Sequence, residues 1–306
     1  MRILVVGAGA TGGYFGARLA IAGRDVTFLV RPRRAEALRE RGLRITGVGD
    51  DERIEPKLVT ADELTSPYDL ILLSVKATAL AAAIDDMAPA VGPNTSIVPF
   101  LNGMAHVDAL NARFGAAAVL GGVVVIASTV NDDGDIVRLA PPASMTIGEQ
   151  DGVTSARLTE IETVLSGAGF DFTVRQDITA QMWAKWVFIS TVSGLTCLMR
   201  SPVGDIVAVP GGSDLGPAIL AEGAAVAEAA GFPVPPERQA GVRATVTQEG
   251  STATSSMYRD LVAGHPTEVE HIFGDLVARA RALSVATPLL DLATMHLRVH
   301  QRRSGN

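Results

Sequence analysis

Arg2-Ile3-Leu4-Val5-Val6-Gly7-Ala8-Gly9-Ala10-Thr11-Gly12-Gly13 opens the chain. A strand-like apolar run precedes Gly7, and a helical pattern continues past the glycines through Ala22. GxGxxG is a weak signal alone, but between a buried strand and an amphipathic helix it reads as a dinucleotide-binding turn. Gly7 permits the tight turn, Gly9 lets the backbone approach a pyrophosphate, and Gly12 lets the helix pack closely on the strand. Ala10 and Thr11 open the helix, whose unpaired N–H groups and positive dipole end favour phosphate. An ordinary glycine-rich turn is the competing reading. A second strand, Val26 to Val30, follows at βαβ spacing and argues for the dinucleotide.

Met1-Arg2 before an apolar run could imitate a signal peptide, but the glycines interrupt the run and we read no signal. The single Cys197 excludes an intrachain disulfide and fits a reducing cytoplasm. A net charge of −7 argues against a nucleic-acid partner. One helix, discussed below, is long enough to raise the question of a membrane span; its polar residues argue against one. The 306 residues suffice for two domains, with no internal repeat or low-complexity tract.

The end of the second strand speaks to the cofactor. An NAD-type fold usually places Asp or Glu there for the ribose 2′-hydroxyl. This chain has Arg31-Pro32-Arg33-Arg34 instead. A guanidinium suits a 2′-phosphate bidentately, so NADPH/NADP is the expected cofactor, with Arg31 at the tip. A solvated helix start is the alternative, although arginine at a helix N-terminus opposes the dipole.

Tyr68 to Val75 reads as a buried parallel strand with Lys76 at its carboxyl end, then a helix from about Thr78 to Met87. Ser96 to Leu101 is the next strand, followed by Asn102-Gly103-Met104 and another helix. Open α/β sheets bind ligands at the carboxyl ends of strands, so Lys76 and Asn102 are candidates for the cofactor cleft. Asn before Gly is also a turn signal in its own right. Val119 to Thr129, Asp135 to Leu139 and Met145 to Gly148 are expected to complete the sheet. A helix over Ala156 to Ala168 and a strand over Phe170 to Val174 close the domain near Gln176.

After Asp177 strand patterns largely disappear. Helical segments are expected near Ile178–Met199, Leu215–Ala230, Pro236–Glu249, Ser256–Val262, Thr267–Leu283 and Pro288–Arg298. The predicted architecture is α/β: an N-terminal Rossmann-type doubly wound sheet over residues 1–176, for NADP, and an all-α domain over residues 177–306, for substrate and catalysis.

Between Asp177 and Arg200 the only charged residue is Lys185, beside Trp183, Trp186, Val187, Phe188 and Ile189. Lysine rarely goes inside unless something uses or pairs it. Snorkelling is the structural alternative; a membrane helix is weaker, because Gln181, Ser190, Thr191, Ser193 and Thr196 make the segment polar. Glu268 falls in the first turn of a helix expected to begin at Pro266. Acids favour helix N-termini, so sequence physics alone gives it a structural role. Ser255-Ser256-Met257 reads as a helix cap.

The chain resembles the ketopantoate reductase (2-dehydropantoate 2-reductase) family. The resemblance rests on GAGATGG at the start, SVKA around Lys76, LNGM around Asn102, WAKW around Lys185, and SSMYRDLVAGHPTEVEHIFG from Ser255 to Gly274. It implies an NADPH-dependent oxidoreductase of pantothenate biosynthesis. Lys185 would be the general acid toward the keto oxygen, with Glu268 in the catalytic site and Ser256 on the substrate carboxylate. Lys76 and Asn102 would contact cofactor and substrate. A lysine in an apolar cleft has its pKa lowered by desolvation, with Glu268 expected to oppose the shift.

Family members commonly carry asparagines four and eight residues after this lysine, where this chain has Ile189 and Ser193. Ile189 cannot hydrogen-bond, which favours a less polar substrate; Ser193 keeps a hydroxyl and stays in the substrate set with Asn102 and Ser256. Three functions follow: ketopantoate reduction to pantoate, reduction of another 2-keto acid or ketone, or non-catalytic NADP sensing. The implied partner is a small-molecule 2-keto acid, with no nucleic acid and no membrane. His296 and His300 have a metal-like spacing but no third ligand, so no metal is expected. The helical domain offers a face for a homodimer, and no sequence feature decides the oligomeric state.

Overall fold

The computed structural model describes residues 1–304. By internal contacts the chain divides into two units. The first comprises Met1–Leu101 and His106–Ile178; the second comprises Asn102–Ala105 and the chain from Thr179 onward.

The first unit begins with β1 (Arg2–Val6), α1 (Ala10–Ile21), β2 (Asp25–Leu29) and α2 (Pro32–Arg41). Next come β3 (Leu43–Gly47), β4 (Asp50–Ile54), β5 (Lys57–Val59), β6 (Leu70–Leu73), α3 (Leu80–Met87) and β7 (Ser96–Pro99). Five of these strands form a parallel sheet in the order β5-β2-β1-β6-β7. Alternate side chains leave a strand on opposite faces. Accordingly Ile3 and Val5 join one core with Phe15 and Phe28, while Leu4 and Val6 join another with Ile71 and Leu73. Both faces of β1 are therefore covered, as a parallel sheet requires. The helix α4 (Ala105–Phe114) follows β7.

The remaining strands correct the expected single sheet. β8 (Leu120–Val130) and β9 (Ile136–Glu149) pair antiparallel. With β10 (Asp171–Val174), which follows α5 (Ala156–Leu165), they form a second sheet ordered β10-β9-β3-β4, with β8 against β9. A short turn between neighbouring strands yields a hairpin, whereas a parallel extension needs a crossover. Among the described residues, one bridge, Ile97 to Val119, links the two sheets. The segments expected as separate strands over Asp135 to Leu139 and Met145 to Gly148 are one strand. Pro141 and Pro142 lie between them, and the register slips opposite, between Ile126 and Ser128. Proline has no N–H to donate, so the ladder bulges there. Buried Asp50 pairs with Arg18 of α1 and Arg138 of β9, tying the first helix to this sheet.

The second unit is helical: α6 (Ile178–Met199), α7 (Val203–Val207), α8 (Gly212–Ala229), α9 (Pro236–Val246), α10 (Ser256–Val262), α11 (Asp275–Ala282) and α12 (Pro288–Ser304). The short α7 had no counterpart in the sequence reading. α6 reaches a mean hydropathy of 1.2 over its most apolar window, yet 72% of that window is buried within the protein. The helix expected from Thr267 is different. Residues 266–268 are not helical, and a π turn (Glu270–Gly274) leads into α11. Gln301 of α12 explains the delay: its Oε1 accepts the Thr267 N–H at 2.9 Å and holds the chain before the helix.

Candidate active site

In the first unit the glycine turn can be tested atom by atom. Gly7 has φ +97°, and a Cβ there would lie 2.8 Å from the Ser74 carbonyl oxygen. A Cβ on Gly12 would lie 2.7 Å from the Ser74 Cβ and run into the Gly7 carbonyl oxygen. Both are glycine because the fold has no room. Gly9, the N-cap of α1, differs: it is exposed, has an ordinary φ of −88°, and a Cβ would meet nothing within 4 Å. The protein itself does not require glycine at this position, which fits a backbone kept bare for an incoming phosphate. Ala10 and Thr11 follow as the first residues of α1.

Arg31 is the N-cap of α2 and is exposed at the end of β2. Arg34 is differently employed. Its Nη2 donates to the Gly134 carbonyl at 3.0 Å and to the Ala8 carbonyl at 3.4 Å, bracing the glycine turn against the β8–β9 turn. Lys76 is exposed just beyond β6, and its carbonyl accepts the Ala79 N–H.

In the second unit Lys185 lies half-buried on α6, flanked by buried Ala184 and Trp186. Burial lowers its pKa from 10.5 to about 8, because desolvation disfavours the ammonium. Ile189 is half-buried one turn on, and Ser193 is buried. Asn102 belongs to this unit although it follows β7 in the chain.

The π turn gathers the neighbouring pieces. The Trp186 indole Nε1–H donates to the Ile272 carbonyl at 2.9 Å. The His271 ring hydrogen-bonds the Asn102 backbone. Gly103, at φ +81°, places its missing Cβ 3.0 Å from the His271 carbonyl oxygen and 3.6 Å from Trp186 Nε1. Glu268 is half-buried, and its carbonyl accepts the Ile272 N–H at 3.0 Å. It therefore caps the helical segment and does not lie in its first turn, where the sequence reading placed it. Burial lowers the His271 pKa, against the opposing fields of Glu268 and Asp275. The Glu268 charge is thus felt at the His271 ring.

Ser255 is the cap foreseen for α10: its Oγ accepts the Tyr258 N–H at 3.0 Å and lies 3.2 Å from Thr196 Oγ1 of α6. Ser256 is the first residue of α10 and is exposed. The sequence reading missed His271. Its only signal was a histidine among the apolar residues Val269, Ile272 and Phe273.

The first unit carries a glycine turn that leaves a bare helix N-terminus, and the second, helical unit carries a desolvated lysine; each suits a nicotinamide-dependent oxidoreductase acting on a keto or hydroxy group. A family model described as ketopantoate reductase PanE/ApbA matches residues 3–152, and its C-terminal counterpart matches residues 177–301. The chain belongs to the ketopantoate reductase family. It is 34% identical over 301 residues to the Bacillus subtilis protein named uncharacterized oxidoreductase YkpB, covering 98% of this chain and 99% of that one. It is 30% identical to the 2-dehydropantoate 2-reductase of Mesorhizobium japonicum, covering 95% of each. The crystal structure of 2-dehydropantoate 2-reductase from Geobacter metallireducens matches with a TM-score of 0.88 at 29% identity, over 98% of this chain and 99% of that one. D-mandelate dehydrogenase, solved with NADH and anilino(oxo)acetate, shares the fold at TM-score 0.89 and 22% identity, over the whole of both chains.

Proposed function

We propose that the protein reduces 2-dehydropantoate (ketopantoate) to pantoate with NADPH, as a cytoplasmic enzyme of pantothenate biosynthesis. The observation that carries this reading is Lys185, an ammonium whose pKa burial brings down to about 8. Such a group is charged at neutral pH and can still surrender its proton.

In this reading Gly7, Gly9, Ala10, Thr11 and Gly12 receive the pyrophosphate, and Arg31 the 2′-phosphate, with Lys76 and Asn102 as further contacts. The exposure of Arg31 supports its share; Arg34, occupied with two carbonyls, is the weaker candidate. A nicotinamide held by these residues would supply hydride for the carbonyl carbon. As negative charge grows on the carbonyl oxygen, Lys185 Nζ stabilises it and then gives it a proton, becoming neutral until water restores it. Ser256, with Asn102 and Ser193, holds the substrate's polar groups, and Glu268 completes the catalytic site.

Ile189 supports a second reading, a 2-oxo acid less polar than ketopantoate. A site loses discrimination for a hydroxyl when the group that would bond it is replaced by an alkyl chain.

The test follows NADPH oxidation at 340 nm with ketopantoate and a panel of 2-oxo acids, for the parent, Lys185→Ala, Glu268→Ala and Arg31→Ala. Turnover of ketopantoate, lost in the first two variants, is expected. Arg31→Ala should narrow the NADPH-over-NADH preference at least tenfold. Faster turnover of an apolar 2-oxo acid would establish the second reading. NADPH binding without any turnover would leave a non-catalytic sensor.

A further inference from the structure

The π turn joins two parts of the second unit that the proposed reaction needs. Lys185 rides on α6, whose Trp186 is fixed by its bond to the Ile272 carbonyl. Asn102 and Gly103 form the turn that follows β7, and Gly103 presses on the His271 carbonyl. A π turn takes one residue more than an α turn, and such bulges occur often at functional sites. Here consecutive residues of one bulge touch both partners: His271 meets the asparagine turn and Ile272 meets the lysine helix.

We infer that His271 is a positioning residue for the reduction: its ring N–H holds the Asn102 backbone carbonyl, and so sets where the Asn102 amide stands for substrate. The inference rests on the functional reading above. Three observations bear on it. The ring bonds the Asn102 backbone. The turn has no side chain at Gly103, so it lies directly against the same residue's carbonyl. Glu270, the first residue of the bulge, pairs bidentately with Arg298 of α12 at 2.7 and 2.6 Å. Burial lowers the pKa of the ring and so favours its neutral form.

Misplacing a substrate-orienting group by a fraction of its length lowers turnover without unfolding the protein. The experiment compares His271→Phe, which keeps a ring without a donor, and His271→Gln, which keeps a donor, in the parent and in an Asn102→Ala background. His271→Phe should lower kcat about tenfold or more. His271→Gln should recover most of that loss. In the Asn102→Ala background His271→Phe should cost less than about twofold, because the amide it positions is gone. A packing defect alone would instead lower kcat equally in both backgrounds, and that outcome overturns the inference. So does a parent-like kcat for His271→Phe in an enzyme that turns over its 2-oxo acid. A parent inactive across the whole panel overturns the functional reading first, and the inference with it.

Discussion

Lys185 should reveal itself through pH. With a folded pKa of about 8 against 10.5 for the free group, Lys185 in its proposed role as general acid would lose its proton as pH rises through 8. The rate of 2-oxo acid reduction should therefore fall with an apparent pKa near 8, and oxidation of the hydroxy acid should rise over the same range. Stability moves in a linked way. Between pH 8 and 10.5 the unfolded chain binds a proton at this lysine that the native chain does not, so stability rises with pH through that window. Below it the desolvated ammonium weakens the fold. Lys185→Met should thus abolish reduction yet raise the melting temperature at pH 7 by a few degrees. A flat pH profile, or a Lys185→Met variant that melts earlier than the parent, would refute this account. The lysine was conspicuous in the sequence because charge is otherwise absent from its helix. Its partner segment was not. Nothing in the spacing of Glu268 showed that Gln301 would hold Thr267 out of the helix, or that the Glu268 field would act on His271.

The first glycine turn separates what the fold needs from what the proposed cofactor site needs. Gly12→Ala drives a methyl group into the Gly7 carbonyl and Ser74, both set by backbone and a neighbouring strand. Such overpacking should destabilise by about 2 kcal/mol or more. Gly9→Ala meets no atom of the protein within 4 Å and keeps an ordinary φ. It should melt like the parent while weakening binding of the reduced nicotinamide cofactor at least tenfold, measured by nicotinamide fluorescence. Equal cofactor affinity in Gly9→Ala would mean the phosphates do not approach that backbone. At this scale the sequence was most legible where a local rule suffices: the turn, Ser255 as a cap, and α6 and α10 with their observed ends. The π turn was illegible because its apolar pattern is that of an ordinary helix. The fused β9 was hidden by two prolines that argue locally against a strand, although a bulge accommodates them.

For the whole molecule, the change of texture near Asp177 was readable because a change of period marks a change of architecture. The second sheet was not, because strand pairing is chosen by partners far away in the chain: β3 joins β9 across some ninety residues. The division into units has a consequence that can be measured. Both tryptophans and the single cysteine lie on α6, in the second unit. Cys197 is fully buried, and burial pushes its thiol up to about 12, so at pH 8 it is neither accessible nor a thiolate. The native protein should therefore resist an aromatic disulfide reagent for hours. In a urea series, labelling should begin where tryptophan fluorescence begins to change, since both report the opening of the same helix. Far-UV circular dichroism, which also sees the first unit, is free to follow its own midpoint. Rapid stoichiometric labelling of the native protein would mean that α6 opens far more readily than its packing allows, and that the desolvation assigned to Lys185 on the same helix is overstated.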